Sequence, residues 1–221
     1  EKKLNKESKK LKKVSINNMS DPILAISPLD GRYRERIKQL ETYFSEYALI
    51  RYRLFIELEL FIFICNEVKL EGTAQFSESE LKTLRELSTG FDVKDALRVK
   101  EFEKKTNHDV KAVEYFIKEN LEAHPKIAQM SEFIHFGCTS EDINNLAYAL
   151  LLKDFETKEY LPLISGVVLE LYNLAKKHAA VALLSRTHGQ PASPTTIGKE
   201  LINFVARLET QIESLKRIKK L

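Results

Sequence analysis

Three segments of this 221-residue sequence put proton-transferring or anion-binding side chains beside a helix start or a tight turn. They are Thr106-Asn107-His108-Asp109, the run from His135 through Gly137, Cys138, Thr139 and Ser140 to Asp142, and Thr187-His188-Gly189-Gln190-Pro191. In the first two, a threonine stands three residues ahead of an aspartate, a capping pattern that predicts helices beginning at Thr106 and at Thr139. A helix start carries unpaired N–H groups and the positive end of the helix dipole, so it can hold an anion such as a carboxylate. The hydroxyls of Thr139 and Ser140 would add to that grip, while the bland reading of Thr139 and Asp142 is a cap and its answer to the dipole. His108 would lie at the second position of its own helix, in a field that suits a hydrogen-bonding, neutral imidazole. His188 differs in kind: it sits in a segment held by Gly189 and Pro191 rather than on a helix face, an arrangement that displays a proton donor or acceptor rigidly. Each segment alone is what an ordinary capped helix with a nearby histidine would show, and their occurrence together is what points to a site.

Other chemistries find less support. The five histidines, His108, His124, His135, His178 and His188, form no H-E-x-x-H, and Cys65 and Cys138 have no C-x-x-C partner, so no metal site is expected. Between Gly137 and Thr139, Cys138 reads as small-residue packing rather than as a thiol nucleophile working with His135. There is no phosphate loop of glycine-lysine type. Two cysteines with no signal peptide ahead of them suit a reducing cytoplasm. The apolar run 49–65 is interrupted by Arg51, Arg53, Glu57 and Glu59, which makes it a buried helix rather than a membrane span of about 20 residues. The net charge of +3 is unevenly placed, since residues 1–18 hold seven lysines and two glutamates and the remainder sums to −2. That lysine-rich arm lacks interleaved aromatics, so it reads as a solvated extension rather than a nucleic-acid or membrane surface. Met19-Ser20-Asp21 would make a normal start after it.

These groups need elements to position them. Hydrophobic spacing predicts a helix over about 45–67 and another over about 77–89. A long helix follows Thr139, continued beyond Tyr160 by Leu163, Ile164, Val167, Val168, Leu171 and Leu174. It stops before the His188 segment, and another helix is expected from Ser193-Pro194, with proline at its first position. That helix carries Leu201, Leu208 and Leu215 with Val205 and Ile212 between them, a seam that requires a partner helix. No strand-like alternation persists and no repeat occurs, so the expected fold is all-α and ends inside a helical bundle. The expected divisions are a basic arm at 1–18, a helical domain at 19–128 and the first part of a bundle domain at 129–221.

Four blocks carry a resemblance: SPLDGRY (27–33), TNHDVKAVEYF (106–116), EFIHFGCTSEDINN (132–145) and LLSRTHGQPASPTTIGKE (183–200). Together they closely resemble the bacterial-type adenylosuccinate lyases of the fumarase/aspartase superfamily, from about Met19 onward. The resemblance implies a truncated fumarase/aspartase-type bundle that eliminates fumarate from adenylosuccinate, leaving AMP, and from succinylaminoimidazole carboxamide ribotide in purine biosynthesis. It implies a cytoplasmic homotetramer whose active sites draw on three subunits, no cofactor, a small-molecule nucleotide substrate, and neither nucleic acid nor membrane as partner. It makes His188 the general acid at the departing nitrogen and Thr139 and Ser140 the grip on a succinyl carboxylate. Arg32 and Tyr33 match phosphate contacts, His108 and Asp109 the block beside phosphate and acid, with Asn107 and Lys111 as further contacts. His135, Thr187 and Gln190 support the substrate. The family's base, a serine in a Ser-Ser-x-Met-Pro-x-Lys-x-Asn loop, is absent from these residues, so the 221-residue chain is expected to be inactive alone.

The chemistry agrees with these roles. Breaking a C–N bond needs a proton on the leaving nitrogen, and the carbanion formed beside it needs fixed donors around its carboxylate. Argininosuccinate lyase-like activity and a noncatalytic helical scaffold are the competing readings. The SPLDGRY and TNHDVKAVEYF blocks favour the purine branch, and the retained acid and carboxylate motifs argue against a scaffold.

Overall fold

The computed structural model describes residues 22–218. The lysine-rich arm and the start at Met19 lie outside the described residues. The chain divides into two compact units between Glu41 and Thr42. In the first, three short 3₁₀ turns, Pro22–Leu24, Arg34–Arg36 and Lys38–Leu40, follow one another around a turn closed by Gly31 N–H to Ser27 O (3.0 Å) and Tyr33 N–H to Pro28 O (2.9 Å). Ile23, Leu24, Ile26 and Leu29 of this unit are all exposed.

The second unit is built on α1 (Glu46–Phe63), capped by the Ser45 hydroxyl, which accepts from Ala48 N–H at 3.1 Å. Its side chains are buried around most of its circumference, which is the pattern of a central helix. A wider turn, Ile64–Val68, ends it with Lys69 in the left-handed conformation. Next come α2 (Glu78–Thr89), opened by a Ser77–Glu80 capping box, α3 (Val93–Thr106), opened by an Asp92–Asp95 box, and α4 (Asp109–Leu121). These pack Leu84, Val99, Val113, Phe116 and Ile117 against Leu54, Leu58 and Phe61 of α1. Each such side chain contributes about 1.5–3 kcal/mol by leaving water.

From Thr139 the chain runs as α5 (Ser140–Phe155), a five-residue wider turn (Glu156–Tyr160) and α6 (Leu161–Lys177). The junction residues keep right-handed helical angles, so this is one continuous rod, as the spacing predicts. The wider turn has a local cause. Pro162 lacks an N–H and its ring would collide with the carbonyl one turn back, so the turn ahead of it opens and Leu161 N–H bonds Glu156 O instead.

The segment after α6 departs from expectation. Ala182–Thr187 (β1) and Gln190–Thr196 (β2) pair as an antiparallel ribbon, and α7 (Ile197–Arg217) starts only after it. Ser193 and Pro194 therefore lie in a strand, and the cap of α7 is Thr196, whose hydroxyl accepts from Lys199 N–H at 3.1 Å. A two-stranded ribbon has two open edges, so Pro191 and Pro194 fit without removing a needed donor. The predicted seam does find its helix. Leu201, Leu208, Ile212 and Leu215 lie on the better-covered side of α7, where Leu208, Ile212 and Leu215 join Ile164 of α6 in lining a shared groove of about 340 Å³. At the other end of this pair Gly198 touches α6 so closely that a Cβ would lie 2.4 Å from Ala175 O.

Candidate active site

The first predicted block folds differently from its pattern. Thr106 is the last residue of α3 and its hydroxyl donates to Phe102 O (3.1 Å), so it does not cap α4. Asn107 takes the left-handed conformation (φ 53°) that stops α3, a geometry asparagine tolerates. His108 is then the cap itself rather than a residue within the first turn: its Nδ1 accepts from Lys111 N–H at 3.2 Å. Asp109, the first residue of α4, accepts from Val110 N–H (2.9 Å) and pairs with Arg53 Nη2 at 2.8 Å. Burial pushes this carboxyl up, but Arg53 and the backbone donors outweigh it and hold it below the ordinary carboxylate value.

The second block begins helix α5 where predicted. Asp142 accepts from Thr139 N–H (2.7 Å) and from the Thr139 hydroxyl (2.8 Å), and these bonds hold its carboxyl below the usual range. The Thr139 hydroxyl proton is thereby committed to Asp142. Donors for an anion at this helix end are left to the half-buried Ser140 hydroxyl and to the amides of Ser140 and Glu141, since Asp142 N–H already bonds Thr139 O at 3.1 Å. Cys138 has its thiol pushed up by burial and by the Asp142 and Glu57 carboxylates, which keeps it from acting as a thiolate.

Two residues tie these blocks together, and neither figures among the predicted site residues. Arg53, 5% exposed, reaches Asn144 Oδ1 from its Nε (2.9 Å) as well as Asp109. One turn later Glu57, 0% exposed, bonds His135 Nδ1 through Oε1 at 2.6 Å. Charged residues inside the apolar run 49–65 were the signal the sequence offered, but Arg51 and Glu59 share it, so it does not single out Arg53 and Glu57.

The third block is the tip of the β1–β2 ribbon. Thr187 and Gln190 pair across a two-residue turn in which His188 (φ 52°) and Gly189 (φ 76°) are both left-handed, a hairpin geometry that suits glycine in the second place. All four residues are exposed, so the imidazole is carried at the tip of the turn. Arg32 and Tyr33 lie in the first unit, with the Arg32 guanidinium 5.5 Å from the Tyr33 ring centre.

One copy does not bring His188 to Ser140. Between them lie the sixteen residues of α5, five of the wider turn and seventeen of α6. That rod is roughly 57 Å long, and the chain from Lys177 to His188 spans at most about 37 Å, so about 20 Å separates the two even at full stretch.

The family model described as Lyase matches residues 31–221, and the chain belongs to that lyase family. Adenylosuccinate lyase of Legionella pneumophila (strain Corby) is 46% identical over 194 residues, covering 88% of this chain and 42% of its own length. Adenylosuccinate lyase of Escherichia coli (strain K12) is 41% identical over 196 residues, covering 89% of this chain and 43% of its own. The chain thus spans about two-fifths of the length of the curated relatives it matches. In structure it is similar to a fumarate lyase from Mesorhizobium sp. BNC1, with a TM-score of 0.66 at 18% identity, covering 82% of this chain and 40% of that one, a likeness of fold. Among the described residues no helix is long and apolar enough to cross a membrane, and no group of three or more His, Cys, Asp or Glu side chains could hold a metal ion.

Proposed function

We propose that this chain forms part of an adenylosuccinate lyase, which eliminates fumarate from adenylosuccinate to give AMP and performs the same cleavage on succinylaminoimidazole carboxamide ribotide. The observation that carries the reading is 46% identity to such an enzyme over 88% of the chain, a stretch that includes the polar turns described above. In this reading His188 protonates the nitrogen as the C–N bond breaks, and its place on a two-residue turn lets it project into a neighbouring surface. Thr139, Ser140 and the first amides of α5 hold a succinyl carboxylate, with Ser140 and the amides as donors. Arg32, Tyr33, Asn107, His108, Asp109 and Lys111 serve the nucleotide, and Thr187 and Gln190 flank the acid. The enzyme works in the cytoplasm, where Cys65 and Cys138 remain free thiols.

The separation of His188 from Ser140 supports sites shared between copies, in keeping with a homotetramer. The test uses the complete enzyme carrying these residues. His188→Ala lowers turnover of adenylosuccinate by at least about 100-fold with the fold intact. Ser140→Ala is separately impaired, and mixing the two variants through dissociation and reassembly restores activity that neither has alone. Near-normal turnover by His188→Ala removes that residue from the role of acid, and arginine formation from argininosuccinate would move the enzyme to another branch.

A further inference from the structure

The burial of both Arg53 and Glu57 on α1 requires an explanation beyond stability. Buried ionic groups in a helix that is otherwise apolar are often replaceable by hydrophobic residues without loss. Here the arrangement is also incomplete, because Glu57 Oε2 is buried with no hydrogen-bond partner among the described residues. Burial pushes the Glu57 carboxyl up, and the neighbouring His135 opposes this. Such a residue is expensive to keep for packing alone.

What it holds is the bend that leads into α5. His135 has a left-handed backbone (φ 61°), as does Gly137 (φ 75°). Phe136 is exposed, and a Cβ added at Gly137 would meet nothing within 4 Å. Between the buried Ile134 and the cap at Thr139, the bend has the Phe136 ring on Phe133 and backbone bonds from Phe136 N–H to Phe133 O and Cys138 N–H to His135 O (both 3.3 Å), and its tie to α1 is the hydrogen bond of the His135 ring with Glu57. One turn earlier on α1, Arg53 fixes the start of α4 through Asp109 and the first turns of α5 through Asn144.

We propose that Glu57 is a positioning residue: through His135 it sets the orientation in which Ser140 and the first amides of α5 meet the carboxylate of the fumarate portion, while Arg53 holds that helix start against α4. The inference rests on the lyase reading for the identity of the ligand. It is tested by titrating fumarate and AMP, separately and without turnover, into the complete enzyme and its Glu57→Gln and Glu57→Leu variants. The fumarate dissociation constant rises at least about 10-fold in Glu57→Leu and less in Glu57→Gln, because a small misplacement of a binding group is costly. AMP affinity stays within about twofold, since Glu57 bonds His135 and none of the residues assigned to the nucleotide. Unchanged fumarate affinity overturns the proposal, and so does a parallel loss of both affinities, which marks a merely structural residue. A readout that needs no variant is the His135 ring proton in the wild-type chain. A downfield, exchange-protected resonance coupled to Nδ1 is expected, and its absence at neutral pH also overturns the proposal. If the wild-type enzyme fails to cleave adenylosuccinate, the functional reading falls, whereas the fumarate titration and the ring resonance still judge Glu57.

Discussion

Phe61 of α1 and Leu163 of α6 are both large apolar residues on long helices, yet Phe61 is 0% exposed and Leu163 is 72% exposed. The contrast extends to their surroundings. Around Phe61, helices α1 to α4 close on one another and leave a continuous core. In the arm formed by α6, the ribbon and α7, only Ala175, Gly198 and Val205 are buried, while Leu169, Tyr172, Leu174 and Phe204 face outward. The first region satisfies itself. The second leaves its apolar surface uncovered in the single chain, and patches of this kind mark association surfaces.

The contrast can be broken most directly in the core. Phe61→Ala should cost about 3–5 kcal/mol in denaturant unfolding, because the closed packing around it cannot collapse to fill the gap. Leu163→Ala should leave unfolding of the monomer within about 0.5 kcal/mol and instead weaken self-association measured by sedimentation. If the two losses in unfolding were equal, the arm would be as self-contained as the core.

A smaller effect sharpens the comparison at the arm's one tight seam. Gly198→Ala places a methyl group against the Ala175 carbonyl and the backbone of Ala179, neither of which is the end of a flexible side chain. The expected loss is about 1–3 kcal/mol, confined to α6 and α7 and visible as faster amide exchange there. Unchanged exchange would show that the helices of the arm do not depend on that approach.

The smallest effect is on pH dependence, and the sign differs between the exposed carboxyl of Asp109 and the buried one of Glu57. Asp109 is held below its ordinary value of 3.8, so its contribution is present above that value and is lost as acid protonates it in the fold. Glu57 is raised above 4.5, so its contribution is present below that value and declines as pH rises through its value in the fold. Asp109→Asn should flatten the acid limb of a melting-temperature profile below about pH 4, and Glu57→Gln should flatten the decline above about pH 4.5. A profile unaltered by both substitutions would contradict these environments.

How much of this was legible from the sequence depended on whether the deciding partner was local. Ser45, Ser77 and Thr139 were readable as helix starts because a cap is settled within about four residues. Thr106 misled for the same reason, since a threonine can instead bond the carbonyl of its own preceding turn, and Asn107 was the better guide to where α3 stops. The ribbon escaped notice because both of its faces are largely exposed, so no alternation of apolar and polar residues marks it. Around the candidate site, the His188 turn was readable from the glycine that follows it. Glu57 was not, because its partner His135 lies far away in sequence and only the folded chain brings them together.

The uninterrupted rod from α5 through α6 has a last consequence. Along a helix, each residue added or removed turns whatever lies beyond it by about 100° as well as shifting it by about 1.5 Å. A single deletion near Gly166 would swing the ribbon to another side of the molecule while leaving every motif intact in the letters of the sequence. The length of that rod therefore fixes which way the His188 turn faces, and on the proposed lyase reading an insertion there should lower turnover as far as His188→Ala does.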